Sequence, residues 1–365
     1  MKAVVLAGGY ATRLRPISYA LPKLLFPVLG KPMIYWTLDL LKGIGVDEVV
    51  LAVNYLADQL RAEVGYNYNG INIEYSLEKA PLGTGGPIKL ASEGAHFDET
   101  FVVTNGDVIA NIELGKMLKH HEQTGALITD ALHEVKDPTR FGVVQLDTDG
   151  RIRRFVEKPK AKEAPSRLVN AGIYVIEPEI LKMIPPNRKV SLEREIFPIL
   201  VKAGKLSGFP FSGDWFDIGS LTDYQRANFS LLEKHGKGSI PQTDTARLAV
   251  DAVVRPPVVF GEGSRVERGA SVGPLVVAGK NAHIESEARV SSTILFDGVS
   301  LGENSVVSGA ILAVGVKVGR EVRIAQGSIV SPYVRIHDGV KIGRNAIVHP
   351  YKEIESSIRP GTNVM

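Results

Sequence analysis

Apolar residues follow two different rhythms along this chain of 365 residues. Through the first two thirds, short apolar runs alternate with stretches whose apolar residues recur three or four positions apart. KAVVLA at Lys2–Ala7 and EVVLAV at Glu48–Val53 read as strands buried on both faces. Between them Pro32 opens a stretch with Ile34, Leu38 and Leu41 on one helical face, closed by Gly43 and Gly45. Leu56, Leu60 and Val64 predict a second helix, Ile71–Leu77 a strand, and Pro87–Ala95 a helix. Phe101–Thr104 reads as a short strand and Glu113–Gln123 as a further helix. Such alternation with short connections predicts an α/β unit built on a mostly parallel, Rossmann-like sheet. Asp149-Gly150, between GVVQLD and RIRRFVEK, predicts a hairpin with a primed turn. Leu221–His235, with Leu221, Tyr224, Leu231 and Leu232, is the last helix.

The rhythm then changes. After the polar segment GKGSIPQTDTAR, apolar residues recur every six positions: Val266, Val272, Ala278, Ile284 and Val290, then Val318, Ile324, Val330, Ile336, Ile342 and Val348. A period of six fits neither a helix nor an alternating strand; it fits the hexapeptide solenoid, a left-handed parallel β-helix of short strands around a prism. Between Val290 and Val318 the phase breaks, which predicts a loop or an altered coil. The expected division is a catalytic domain over 1–236, a linker over 237–250 and a β-helix over 251–365. Prisms of this kind bury their apolar positions against neighbouring coils and commonly mediate assembly, so a homo-oligomer formed through the β-helix is expected.

Composition removes several function classes. No cysteine is present, which excludes disulfides, zinc–thiolate sites and cysteine nucleophiles. The 43 basic residues are balanced by 40 acidic ones, and no basic run interleaves with aromatics, so nucleic acid is not an expected partner. The N-terminal MKAVVLAGGY has an apolar run too short for a secretory signal or a membrane span, so a cytoplasmic protein without membrane association is expected.

Five stretches carry candidate chemistry. AGGYATRLRPISYALPK, residues 7–23, follows the first strand, at the sheet end where open α/β folds bind ligands. Gly8 and Gly9 let backbone N–H groups approach an anion, and Arg13 and Lys23 can neutralise phosphate. Neither a Rossmann fingerprint nor a P-loop is present, since Gly30-Lys31 is followed by Pro32. From local pattern alone, a phosphate cradle and an ordinary glycine turn both stand. NGDV places Asp107 after the strand FVVT, and WFDIG places Asp217 before a helix; each is either a metal-ligating carboxylate or part of a turn or cap. EKP, with Glu157 and Lys158, reads as a sugar and anion contact or as a solvated strand end. PLGTGGP, with Glu78 just before it, reads as a base-binding loop or a tight turn. The histidines form no metal or triad pattern, and His120, His121 and His133 read as surface residues.

Taken in order, GGYATRLRP…PK, LGTGGP, NGDV, FGVV, FVEKP, VNAG and WFDIG followed by hexapeptide repeats resemble the sugar-nucleotide pyrophosphorylase family, most closely its GDP-mannose-forming members. The resemblance covers nearly the whole chain. It implies nucleotidyl transfer, in which a sugar 1-phosphate oxygen attacks the α-phosphorus of a nucleoside triphosphate in line and pyrophosphate leaves. It implies that Leu6, Ala7, Gly8 and Gly9 belong to the nucleotide loop, that Arg13 and Lys23 bind phosphate, and that Asp107 and Asp217 bind Mg²⁺. Lys158 matches the lysine on the sugar phosphate; Gly142, Glu157 and Asn170 match sugar contacts; Gly83 and Thr84 match the base loop. The family pattern has glycine where this chain has Ala11, and threonine where it has Ser18.

Glu78 stands where the family reads the base. A carboxylate only accepts hydrogen bonds, and guanine offers two adjacent donors, N1–H and the 2-amino group, so the expected substrates are GTP and mannose 1-phosphate. Mannose rests on the resemblance alone. The competing readings are a glucose-1-phosphate uridylyl-, thymidylyl- or adenylyltransferase, a bifunctional enzyme whose solenoid also transfers acyl groups, and a non-catalytic regulatory subunit.

Overall fold

The computed structural model describes residues 1–235 and 245–365. They divide into two compact units: Met1–Tyr10 with Met33–Ile218, and Ala11–Pro32 with Gly219–Met365.

The first unit is built on a ten-stranded sheet. Its main path runs Ile152–Glu157, Gly142–Leu146, Leu168–Ile176, Phe101–Asn105, Lys2–Ala7, Glu48–Val53, Ile71–Leu77 and Asn67–Tyr68. Ile128–Glu134 pairs with Leu168–Ile176 on one side and with Leu206–Phe211 on the other. The four central strands from Phe101 to Leu77 are mutually parallel, and the Leu168–Ile176 strand is antiparallel to its neighbour. Ala3, Val4 and Val5 are all fully buried, as a strand covered on both faces requires. Each large aliphatic side chain hidden in this way contributes about 1.5–3 kcal/mol. Helices Met33–Lys42, Ala57–Val64, Gly85–Gly94 and Leu114–Thr124 lie where the periodicity placed them, within two residues at each end.

Two local features differ from their expected form. Of Asp149 and Gly150, only Gly150 has positive φ (78°), so the hairpin is not closed by a primed turn. Asp147 Oδ1 instead accepts from the N–H groups of Asp149 (3.0 Å) and Arg151 (2.8 Å), making a longer side-chain-closed loop. His121 is not a surface residue. The buried face of its helix is Leu114, Met117 and His121, and its ring bonds Thr129 Oγ1 at 2.7 Å and Glu177 Oε1 at 2.9 Å.

The C-terminal part of the second unit is a three-sided parallel β-helix of the left-handed kind that hexapeptide repeats build, with faces of seven, six and seven short strands. Its core is one column of Val, Ile, Leu and Ala, with Phe260. A regular coil advances 18 residues, as from Arg265 to His283, but His283 pairs with Ser300 and Ser300 with Lys317, each 17 residues on. The phase break is therefore an altered coil with no inserted loop. The turn from Val272 to Val277 spans five positions, whereas Val290–Ile294 and Val307–Ile311 span four. Of the segment read as a linker, residues 237–244 lie outside the described residues, and Arg247–Leu248 already pairs with Arg265–Val266 on one β-helix face.

Candidate active site

In the first unit, strand register brings several candidate residues to one end of the sheet. Ala7 pairs with Val53, Val53 with Leu77, and Leu6 with Asn105. The residues that follow, Gly8, Glu78 and Gly106-Asp107, therefore leave the sheet together at the carboxyl ends of parallel strands. The Gly106 N–H donates to the Leu6 carbonyl at 3.0 Å, which ties the two loops.

Glu78 is buried, with 4% of its surface exposed. It is not a solvated strand end. Its carboxylate lies against Gly8 so closely that a Cβ there would stand 2.0 Å from Oε1, which gives the glycine a steric reason. The Leu82 N–H donates to Oε2 at 3.0 Å. Burial pushes the Glu78 pKa up, against the pull of that hydrogen bond. The result is a desolvated acceptor at the carboxyl ends of the parallel strands.

Asp107 and Asp217 come from distant parts of the sequence, and one small ladder brings their backbones close. Val108–Ala110 pairs antiparallel with Trp215–Asp217, so that Asp217 lies opposite Val108, and the Ile218 N–H donates to the Asp107 carbonyl at 3.1 Å. Both aspartates are half-buried. Among the described residues no group of three or more His, Asp or Glu side chains gathers to hold a metal. A cation here would rest on these two hard oxygen donors and on substrate phosphates, which is how Mg²⁺ is commonly held. The donor set fits that group.

The loop PLGTGGP is more occupied than its sequence implies. Gly83 has φ 81°, and a Cβ there would stand 2.3 Å from the Val190 carbonyl oxygen. The Thr84 hydroxyl donates to Glu193 Oε2 at 2.6 Å and accepts from the Leu192 N–H at 2.9 Å, so it serves to fix the loop. Glu193 also bonds the Tyr174 hydroxyl, at 3.5 Å to Oε1, and Tyr174 accepts from Asn170 Nδ2 at 2.9 Å. One carboxylate thus joins the Thr84 loop to Asn170. Sequence reasoning missed Glu193, because SLERE reads as ordinary helix charge.

Gly142 pairs with Glu157 across the hairpin, and a Cβ on Gly142 would meet Phe155 at 2.4 Å and Glu157 Oε2 at 3.0 Å. Lys158 sits just past the strand with φ 48°, its N–H donating to the Phe141 carbonyl at 2.9 Å and its Nζ 3.3 Å from Glu157 Oε1. Gly142, Glu157 and Lys158 therefore form one contiguous patch.

In the second unit Arg13 lies in a 3₁₀ turn, Thr12–Leu14, and Lys23 opens another, Lys23–Leu25. The guanidinium of Arg13 covers Gly219, where a Cβ would stand 3.2 Å from Nη2. Ala11 adopts the left-handed conformation that glycine would take more easily, with φ 47° and ψ 40°. In the β-helix, His283 and His337 are engaged by Glu267 and Glu353 at 3.1 and 2.8 Å, and the His349 ring lies tilted against Tyr19.

Residues 2–234 match the family model described as Nucleotidyl transferase, and residues 254–364 match the one described as GMPPB C-terminal domain. The chain is 39% identical over 275 residues to a putative mannose-1-phosphate guanyltransferase of Sulfolobus acidocaldarius, 74% of either chain. It is 36% identical over 332 residues to a probable mannose-1-phosphate guanylyltransferase 2 of Arabidopsis thaliana, 89% of either chain. A solved structure of a putative glucose-1-phosphate thymidylyltransferase from Bacillus anthracis, in complex with a sucrose, is similar with a TM-score of 0.57 and 27% identity, covering 62% of this chain and 94% of that one. Nucleotidyltransferases of this kind generally use a divalent metal. Among the described residues no helix is long and apolar enough to cross a membrane.

Proposed function

The chain belongs to the nucleotidyl transferase family, and on that premise we propose that it transfers a guanylyl group from GTP to mannose 1-phosphate, giving GDP-mannose and pyrophosphate. The observation that carries the choice of base is the buried Glu78 carboxylate, an acceptor-only group held against Gly8. Guanine presents it with two adjacent donors, whereas uracil and thymine present an acceptor on either side of one donor. Burial strengthens that discrimination, because a mismatched acceptor pair would lose its water without replacement.

In this reading a phosphate oxygen of the sugar attacks the α-phosphorus, the bond to the β-phosphate oxygen breaks, and the electron pair leaves with pyrophosphate. Little covalent work falls to side chains; positioning and charge neutralisation carry the rate. Leu6, Ala7, Gly8 and Gly9 bring backbone close to the nucleotide, and Arg13 and Lys23 hold the triphosphate, Arg13 following the departing pyrophosphate. Lys158 holds the sugar phosphate, with Gly142, Glu157 and Asn170 at the sugar and Gly83 and Thr84 shaping the base loop. Asp107 and Asp217 would hold Mg²⁺, whose charge offsets that of the phosphates. A cytoplasmic setting and assembly of copies through the β-helix belong to the same reading; cell fractionation and sedimentation of the full chain test them.

The test is pyrophosphate release by the purified full chain, measured across a grid of nucleoside triphosphates and sugar 1-phosphates with Mg²⁺. We expect the maximum at GTP and mannose 1-phosphate, and a loss of at least two orders of magnitude in Asp107→Asn and Asp217→Asn. A maximum elsewhere overturns the specificity, and near-normal turnover in both variants overturns the metal assignment.

A further inference from the structure

The segment that carries Arg13 and Lys23 belongs to the same compact unit as the β-helix, although it follows the first strand of the nucleotide-binding sheet in sequence. Residues 11–26 contain no strand; they are three isolated 3₁₀ turns held by local bonds such as Leu14 N–H to Ala11 O and Phe26 N–H to Lys23 O. Turns of this length do not define a backbone on their own, so tertiary anchors must do it.

Two anchors are present. Phe26, whose N–H closes the turn on the Lys23 carbonyl at 3.0 Å, is fully buried between Tyr224 and Phe296. The three rings lie 5.6–5.8 Å apart in edge-on pairs. The Tyr224 hydroxyl donates to the Pro27 carbonyl, and the Leu29 N–H donates to Asn228 Oδ1 at 2.9 Å. The second anchor lies nearer Arg13 in sequence. The Tyr19 ring stands 5.8 Å from the His349 ring, and the Arg15 guanidinium lies over the Tyr19 ring at 4.8 Å. Phe296 and His349 are solenoid residues separated by three coils of chain, and both face this one segment.

We propose that the β-helix holds the phosphate-binding segment in its working shape, with Phe296 and His349 as positioning residues that act on Lys23 through Phe26 and on Arg13 through Tyr19. This rests on the reading in which Arg13 and Lys23 bind the triphosphate. When only a fraction of molecules hold the competent loop, the apparent dissociation constant for the nucleotide rises by the inverse of that fraction. The sugar phosphate, held by residues of the other unit, is not subject to that factor. A solenoid that served only folding or assembly would change stability with no such asymmetry.

The test uses the full chain with His349→Ala, His349→Phe and Phe296→Leu, and Arg13→Ala as a reference. Three quantities are read: KM for each substrate, the thermal midpoint, and hydrogen exchange of peptides covering residues 11–29. His349→Ala is expected to raise the nucleotide KM by roughly 3–10-fold at unchanged KM for the sugar phosphate and to speed exchange in the segment. His349→Phe, which keeps a ring against Tyr19, is expected to restore both, and Phe296→Leu to give the larger effect. Unchanged exchange and unchanged nucleotide KM in folded His349→Ala and Phe296→Leu overturn the proposal. Normal nucleotide affinity in Arg13→Ala overturns the underlying phosphate assignment instead, and the exchange data then decide the anchoring alone.

Discussion

The Ser18 hydroxyl donates a 2.9 Å hydrogen bond to the Ala11 carbonyl oxygen, which also accepts from the Leu14 N–H at 2.9 Å. The two positions at which this glycine loop differs from the pattern it otherwise resembles are therefore bonded to each other. Ala11 holds φ at 47°, a conformation that costs a residue with a Cβ about 1–2 kcal/mol, and buried Ser18 fixes the carbonyl that this conformation presents. A threonine at 18 would offer the same hydroxyl.

Ser18→Ala is expected to lower stability by about 1 kcal/mol, the usual worth of such a bond, and to raise the nucleotide KM. Ala11→Gly relieves the left-handed cost while adding unfolded-state freedom of about 0.5–1 kcal/mol, so its net effect on stability is small and favourable. In the Ala11→Gly background the Ser18→Ala loss should shrink, because the backbone can then relax. Thermal unfolding of the two single variants and the double variant gives the coupling; strict additivity would show that the bond does not support the Ala11 conformation.

Gly8 and Glu78 yield a second prediction. A methyl at position 8 would stand 2.0 Å from Glu78 Oε1, so Gly8→Ala must displace the carboxylate and is expected to cost on the order of 10²-fold in kcat/KM for GTP. In a Glu78→Ala chain the same substitution should leave the thermal midpoint unshifted. The pH dependence has a definite sign. Burial raises the Glu78 pKa, so the folded state favours the protonated form and the group's stability contribution is lost as pH rises through the folded pKa. Guanine recognition needs the carboxylate, so the KM for GTP should climb as pH falls through a window just above the usual carboxylate range. Glu78→Gln should lack that step. A KM for GTP that is flat through this window in the unaltered chain would sink the base-reading role.

Much of this architecture is legible in the sequence because period carries it. Lys2–Ala7, Glu48–Val53 and Leu221–His235 form with the bounds their patterns predict, and the hexapeptide spacing gives the solenoid coil by coil. The shortened coils at Val290–Ile294 and Val307–Ile311 were visible only as a loss of phase, since one missing turn residue changes register without changing composition. The site is legible in part. Gly8 and Asp107 can be expected at one end of the sheet from sequence alone, because the loops that follow parallel strands leave at their carboxyl ends, and Lys2–Ala7 and Phe101–Asn105 are indeed parallel neighbours. Glu193 could not be found, because its function depends on Thr84 and Tyr174, more than a hundred positions before it in one case. His121 misleads for the opposite reason: a polar residue on a helical face otherwise made of Leu114 and Met117 reads as exposed until Thr129 and Glu177 supply its partners.

Asp130 is the sharpest case of a group that sequence cannot place, and it supports a third prediction. It lies on Ile128–Glu134 opposite Tyr174, with no exposed surface and with neither carboxylate oxygen hydrogen-bonded among the described residues. Burial, and after it the neighbouring Glu193 charge, raise its pKa well above the usual carboxylate range. The native state therefore binds a proton that the unfolded chain has released. Stability from this group is complete below the unfolded carboxylate pKa, near 3.9, and falls by about 1.4 kcal/mol per pH unit above it until the folded pKa is reached. Asp130→Asn keeps the shape and removes the ionisation. Differential scanning calorimetry at a series of pH values should show the difference in stability between the asparagine variant and the unaltered chain moving in favour of the variant as pH rises from acid to neutral. Two stability curves that stay parallel over that range would mean that Asp130 ionises in the folded protein as it does in the unfolded one, and that the residues around it accommodate the charge.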